Sequence, residues 1–281
     1  MSPRPGRALV IGASGFLGSR LLALAPRDVE LTGTGWRRPV RPGNWREITL
    51  DVTSPSALAA VVERERPAAV FFCSADKSDR AITVDAPRQA ARLAARQQAR
   101  FVFFSTDLVF DGARGNYTED SPVGPIMPHG SMKAEAEAQL RIENPEALVI
   151  RPSLLVGESG IMLRPDHECG HLMRGQPVTL YKDEWRSPVQ VDDVARAAWE
   201  LCSTDVAGAY HVAGPERMTR LELGRILCTL YRFNTGLLRE GARPEERPRD
   251  TSLDSAKVAA LLGWAPGPLR ARAHPPAAAG V

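Results

Sequence analysis

The sequence is short of three things whose absence narrows what it can be: paired cysteines, long apolar runs and an excess of one charge. Its four cysteines, Cys73, Cys169, Cys202 and Cys228, are widely spaced and form no C-x-x-C pair. That excludes a disulfide framework or a cysteine-built zinc site and fits a reducing cytoplasm. No apolar stretch approaches the roughly 18 residues of a membrane span. The basic start Met1 to Arg7 runs straight into an expected strand rather than a signal-peptide core, so a soluble, cytoplasmic protein is expected. Lys and Arg number 36 against 33 Asp and Glu, a formal charge of +3 with both signs mixed along the chain, which excludes nucleic acid as the main partner. No internal repeat is visible. What is present is apolar residue enough for a packed core, 43% of 281, in one large domain or a domain with a small lobe.

Ala8-Leu9-Val10-Ile11, Ala69-Val70-Phe71-Phe72 and Phe101-Val102-Phe103-Phe104 are continuous apolar runs, the pattern of parallel strands buried on both faces. Strands are also expected at 29–34, 47–50 and 148–150. Helical spacing runs over 16–24, over 56–66 with Ser54 and Pro55 as its start signal, and over 86–98. This alternation is that of the α/β class, a Rossmann-type doubly wound parallel sheet over 1–150. Beyond it, short apolar stretches at 178–181 and 209–212 are interleaved with helices at 191–202 and 220–231, which suggests a smaller mixed substrate lobe over 151–264 whose strands and helices are interleaved with the core. Pro, Ala, Arg and Gly dominate from Ala265, so 265–281 is expected to be a disordered tail.

Between the first strand and helix stands Gly12-Ala13-Ser14-Gly15-Phe16-Leu17-Gly18. A glycine-rich turn there lets backbone approach a pyrophosphate and aims helix N-terminal amides at it. Trp36-Arg37-Arg38 closes the second strand, where an acidic residue would bind ribose hydroxyls and an arginine a 2′-phosphate, so NADP is expected ahead of NAD. The run Ser105 to Gly112 follows a buried strand at its carboxyl end, where open α/β sheets place ligands. Its hydroxyls and carboxylate can hydrogen-bond a carbonyl and relay a proton. His167-Glu168-Cys169-Gly170-His171 matches the zinc-protease pattern H-E-x-x-H, but Gly170 weakens the helix, Pro165 lies just ahead and no third ligand follows. No metal site is expected.

Phe103-Phe104-Ser105-Thr106-Asp107-Leu108-Val109-Phe110-Asp111-Gly112 resembles the signature of extended short-chain dehydrogenases of the dTDP-4-dehydrorhamnose reductase type, a group that includes the regulatory beta subunit of methionine adenosyltransferase. The resemblance continues through Arg151-Pro152-Ser153-Leu154-Leu155-Val156-Gly157, the stretch Arg186 to Ala195, Tyr210-His211-Val212-Ala213-Gly214 and Arg247 to Asp254. It implies that Thr106 contacts the substrate carbonyl, that Lys133 holds the nicotinamide ribose, that Asp51-Val52 meets adenine and that Cys73-Ser74-Ala75 lines the cofactor. Asp107, Val109, Phe110 and Arg186 are implied on the substrate side.

His129 departs from the family, which carries the tyrosine of Tyr-x-x-x-Lys there; this chain reads His129-Gly130-Ser131-Met132-Lys133. Imidazole titrates near 6.5 against about 10 for phenol, and it reaches less far. The expectation is an NADP(H)-dependent reductase of a keto sugar nucleotide or related small carbonyl compound, with His129 as a protonated acid. The alternatives are a nucleotide-binding accessory subunit beside a partner enzyme, or a non-redox isomerase or cyclase. A homodimer is the other assembly considered.

Overall fold

The computed structural model describes residues 6–157 and 168–270. The first half alternates strand and helix except where β2 leads straight into β3: β1 (Arg7–Ile11), α1 (Phe16–Ala23), β2 (Glu30–Gly35), β3 (Arg46–Thr49), α2 (Pro55–Glu65), β4 (Ala69–Phe72), α3 (Ala86–Arg96), β5 (Arg100–Phe104), α4 (Pro128–Glu143) and β6 (Leu148–Pro152). The second half holds β7 (Leu155–Val156), α5 (Glu168–Met173), β8 (Val178–Tyr181), β9 (Trp185–Arg186), β10 (Val189–Gln190), α6 (Val191–Cys202), β11 (Gly208–Val212), β12 (Met218–Thr219), α7 (Arg220–Tyr231), β13 (Leu238–Gly241) and α8 (Ala256–Leu262).

Seven strands form one parallel sheet in the order β11-β6-β5-β4-β1-β2-β3. Its central strands are apolar throughout because alternate side chains enter different cores. Val10, Phe71, Val102 and Ile150 pack under α1 and α6, with the Phe71 ring 4.4 Å from that of Trp199. Leu9, Phe72, Phe103 and Val149 pack against α2, α3 and α4. The helix starts follow from sequence: Ser54 caps α2, and at α7 Thr219 and Glu222 exchange hydrogen bonds in a capping box, each cap worth about 1 kcal/mol.

Two expectations are corrected. The apolar stretch at 209–212 does not belong to the small lobe. As β11 it closes the main sheet, pairing Tyr210 with Ile150 and His211 with Arg151, since an apolar run this short finds its most buried partner at the open edge of β6. The lobe is built instead from the short pairs β7 with β10, β9 with β12 and β8 with β13, and from α5 and α7. In the stretch expected to be a disordered tail, 265–270 is packed: Leu269 is buried against Val156, Met218 and Leu227, and Gly267 N donates to Asp193. Residues 271–281 lie outside the described residues.

Candidate functional site

The glycine turn sits at the carboxyl end of β1, in the middle of the sheet. Gly12 has φ +85°, and a Cβ on it would lie 2.6 Å from Ser74 Oγ and 2.8 Å from Ser74 N, so only glycine fits between β1 and the end of β4. Its N–H donates to Thr34 Oγ1 (3.1 Å), and Ala13 N donates to Thr34 O (2.8 Å), which pins the turn to β2. A Cβ on Gly18 would stand 2.3 Å from Gly12 O, so Gly18 lets α1 rest directly on the turn. Gly15 caps α1 without a side-chain hydrogen bond, which leaves the helix dipole and first amides facing outward.

The turn opens into a cleft of about 670 Å³ lined by Gly12, Ser14, Gly15, Trp36, Arg37, Arg38, Asp51, Val52, Cys73, Ser74 and Ala75. These sequence-derived cofactor residues are therefore brought together. Phe16, Leu17 and Gly18 are not on its wall: Leu17 is in the core, Phe16 packs beside Gly157, and Gly18 serves the turn. Thr53, Asp76, Asp79 and Ile82 also line the cleft and were missed. Thr53, Asp76 and Asp79 lie in loops and Ile82 in a short π-helical turn, Ala81–Asp85; their approach to the cleft is set by the sheet, and no periodicity marks them. Arg37 and Arg38 are exposed, and Trp36 is 55% exposed at the rim. Asp51 takes hydrogen bonds from Thr53 Oγ1 and N, which together with Arg37 hold its carboxyl below the usual range. Asp76 is held down in the same way by Ser78 and Arg37.

At the end of β5 the chain turns sharply. Thr106 caps a short 3-10 turn, Asp107–Val109, accepting from Leu108 N and donating to Asp107 Oδ1, both at 3.2 Å. Helix α4 begins against this turn. A Cβ on Gly130 would stand 2.1 Å from Leu108 O, so glycine after His129 lets the first turn of α4 close on the end of β5. Lys133, one helical turn beyond His129, is 4% exposed; its Nζ donates to Phe104 O (2.7 Å) and lies 4.4 Å from the Phe103 ring centre. Burial lowers the Lys133 pKa to about 8, against weaker opposing effects of Cys73 and Glu137.

The ring of His129 is half-buried and its Nδ1 is sealed from solvent without a hydrogen-bond partner, as is Ser105 Oγ. Burial first, then the positive charges of Lys133 and Lys77, push His129 down to about 4, with Asp76 opposing. That direction runs against the expected protonated acid, since burial and the two ammonium groups favour the neutral ring. Spacing puts His129 one helical turn from Lys133, but burial, the largest cause of the shift, and Lys77 come from the folded neighbourhood, which local spacing does not show.

The four residues expected on the substrate side are taken up inside the folded protein. Asp107 is fully buried and is held by Arg186 through two hydrogen bonds (2.6 and 2.7 Å), by Ser153 Oγ (2.6 Å) and weakly by Thr251 Oγ1 (3.4 Å). Arg186 also meets Glu184 (3.4 Å), whose carboxylate takes two hydrogen bonds from Arg247 (2.6 and 2.9 Å). This belt ties β5 to the lobe and leaves Asp107 and Arg186 no free face. Val109 and Phe110 are at 0% exposure, with Phe110 stacked on Tyr117 at 4.3 Å. Both are core residues because the 3-10 turn directs them inward.

His167 lies outside the described residues, and His171 Nδ1 is 2.9 Å from Gln176 Oε1. Among the described residues no group of three His, Cys, Asp or Glu could hold a metal ion, and no helix is long and apolar enough to cross a membrane. Cys73, Cys202 and Cys228 are unpaired thiols that burial makes harder to ionise.

Residues 6–274 match the family model described as RmlD substrate binding domain. The chain is 31% identical over 193 residues to the "probable low-salt glycan biosynthesis reductase" of Haloferax volcanii, an alignment taking in 65% of this chain and 64%, under two thirds, of that protein. It is 28% identical over 285 residues to methionine adenosyltransferase 2 subunit beta of Xenopus tropicalis, covering 90% of this chain and 82% of the other. Its fold matches the crystal structure of a dTDP-4-dehydrorhamnose reductase from Bacillus anthracis in complex with NADP, with a TM-score of 0.80 at 21% identity, over 97% and 98% of the two chains.

Proposed function

The chain belongs to the RmlD substrate-binding-domain family, matched over residues 6–274, and from that membership we propose that it is an NADPH-dependent reductase of a keto sugar nucleotide. The observation that carries the reading is the junction of two features at the carboxyl end of the sheet. A turn only glycine can make opens the cleft, and a buried lysine sits on the carbonyl of Phe104 beside hydrogen-bonding atoms, Ser105 Oγ and His129 Nδ1, that nothing in the protein uses. Buried polar atoms without partners are rare and call for a ligand group or water.

In this reading the amides at the start of α1 bind the pyrophosphate, Arg37 and Arg38 take the 2′-phosphate, and Asp51 and Val52 border the adenine. Ser74 and Ala75 line the path toward the ribose that Lys133 holds. The cofactor supplies hydride when bound. Thr106 hydrogen-bonds the carbonyl of the substrate, with the His129 ring where relatives of the reductase type would place tyrosine. A reductase in glycan biosynthesis and a dTDP-sugar reductase among the similar proteins support this substrate class.

A second reading, an accessory subunit that binds nucleotide without turnover, has its own support: the neutral ring of His129 and the likeness to a methionine adenosyltransferase beta subunit over most of the chain. The two separate in one experiment. NADPH oxidation is followed spectrophotometrically with dTDP-4-dehydrorhamnose, alongside calorimetric titration of NADPH. The reductase reading expects turnover by the wild type and faster turnover by His129→Tyr. Binding of NADPH with no oxidation by either protein favours the accessory subunit.

A further inference from the structure

One buried polar side chain, Gln190, has no task in the glycine-turn cleft or in the belt around Asp107. It ends β10 and stands at the start of α6, yet its amide does not cap that helix. The residue is 7% exposed, and among the described residues no hydrogen bond reaches its side chain. A side-chain amide this buried is normally bonded, because an unpaired one forfeits the water it left. Gln190 lines a cavity of about 530 Å³ that, among the described residues, shares no wall with the glycine-turn cleft.

The cavity lies between the sheet and the lobe, the kind of junction where small-molecule sites concentrate. Helix α1 turns Leu17 and Leu21 into the core, which leaves Ser19 and Arg20 to face the cavity. Arg20 Nε and Nη2 donate to Asp192 at the start of α6 (2.5 and 2.8 Å), so the guanidinium bridges the two sides with Nη1 unspent among the described residues. The segment after β2 supplies another wall. Val40 N donates to Glu47 Oε1 (2.8 Å) and Trp45 Nε1 to Arg41 O (2.9 Å), which fixes this wall before any ligand arrives. Leu230 and Tyr231 close the cavity from the end of α7.

These walls select a ligand by chemistry. Asp192 is neutralised by Arg20, and Arg41 is exposed with no carboxylate paired to it among the described residues, so one positive charge is in excess. Trp45 spends its N–H within its own loop and has ring surface left to offer, as Tyr231 does. Gln190 presents a donor and an acceptor side by side, the pattern that meets the edge of a base. We propose that this cavity is a nucleotide site separate from the glycine-turn cleft, and that it takes a nucleoside monophosphate. The base lies on the ring surfaces with its edge at Gln190, and the phosphate meets Arg41 and Arg20 Nη1. The site does not depend on the reductase reading, which uses the other cleft.

Site-resolved NMR of the full chain tests the site without turnover. AMP should shift the side-chain NH₂ of Gln190 and the indole N–H of Trp45, whatever it does to the amides of Gly12 and Gly15 in the other cleft. Arg41→Ala, at an exposed position, should weaken the titration followed at Gln190 about tenfold, the loss of one charge-assisted hydrogen bond, and leave the melting temperature unchanged. Gln190→Leu, close in volume, should weaken the titration followed at Trp45 by a similar factor. Adenosine lacks the phosphate and glucose 1-phosphate lacks the base, so each should bind at least about tenfold more weakly than AMP. Shifts confined to Gly12 and Gly15, shifts at Gln190 undiminished in Arg41→Ala, or adenosine or glucose 1-phosphate binding as tightly as AMP would each overturn the assignment.

Discussion

Two regions meet at the carboxyl end of β5 and use polar residues in opposite ways. In the glycine-turn cleft, Arg37 and Arg38 are exposed, and the Asp51 carboxylate takes its hydrogen bonds from Thr53. Beneath it, the side chains of Asp107, Arg186 and Glu184 are 1%, 5% and 0% exposed and satisfy one another. An exposed charge adds little to stability and stays available to a ligand. A sealed charge is committed, because losing its partner leaves it buried and uncompensated. The boundary falls within a single run of sequence: Ser105 and Thr106 stand at the carboxyl end of β5, and Asp107, the next residue, is a strut that fastens the sheet to the lobe.

The sharpest way to break this contrast is to remove the strut. Asp107→Ala should destabilise the protein by about 3–5 kcal/mol in urea unfolding, since it strands Arg186 in the interior. If Asp107 touched substrate instead, the variant would keep wild-type stability and show a raised KM, and the division drawn here would fail.

Lys133 lies at the border and tests whether a functional charge is held at a cost. In the folded protein its amine releases its proton near 8, in the unfolded chain near 10.5. Between those values the unfolded chain binds more protons, so stability rises with pH across that window, and below 8 the whole penalty is carried. Lys133→Met should therefore stabilise the cofactor-free protein at pH 7 by on the order of 3 kcal/mol, with the advantage fading by pH 10.5. A wild type and variant with parallel pH profiles would show that the buried amine carries no such penalty.

The smallest effect belongs to the open side. Arg37→Ala and Arg38→Ala should each weaken NADPH binding about tenfold, roughly 1.4 kcal/mol, leaving NADH affinity and the melting temperature unchanged. Equal losses for both nucleotides would remove the 2′-phosphate from the role given to these arginines.

The sequence by itself determined most of the sheet and the glycine-turn cleft. Continuous apolar runs such as Phe71-Phe72 specify strands buried on both faces, and Gly12, Gly15 and Gly18 specify a turn that any Cβ at Gly12 or Gly18 would disrupt. Both signals are local, spread over a few neighbouring residues. Tertiary structure alone decided that 209–212 would close the sheet, that Asp107 would face Arg186 across 79 positions of chain, and that Val109 and Phe110 would turn inward. It also set the charge states of His129 and Lys133. Those depend on how much water is excluded and on which charges arrive from Lys77, Asp76, Cys73 and Glu137, and both are properties of the folded neighbourhood that residue identity and spacing leave open.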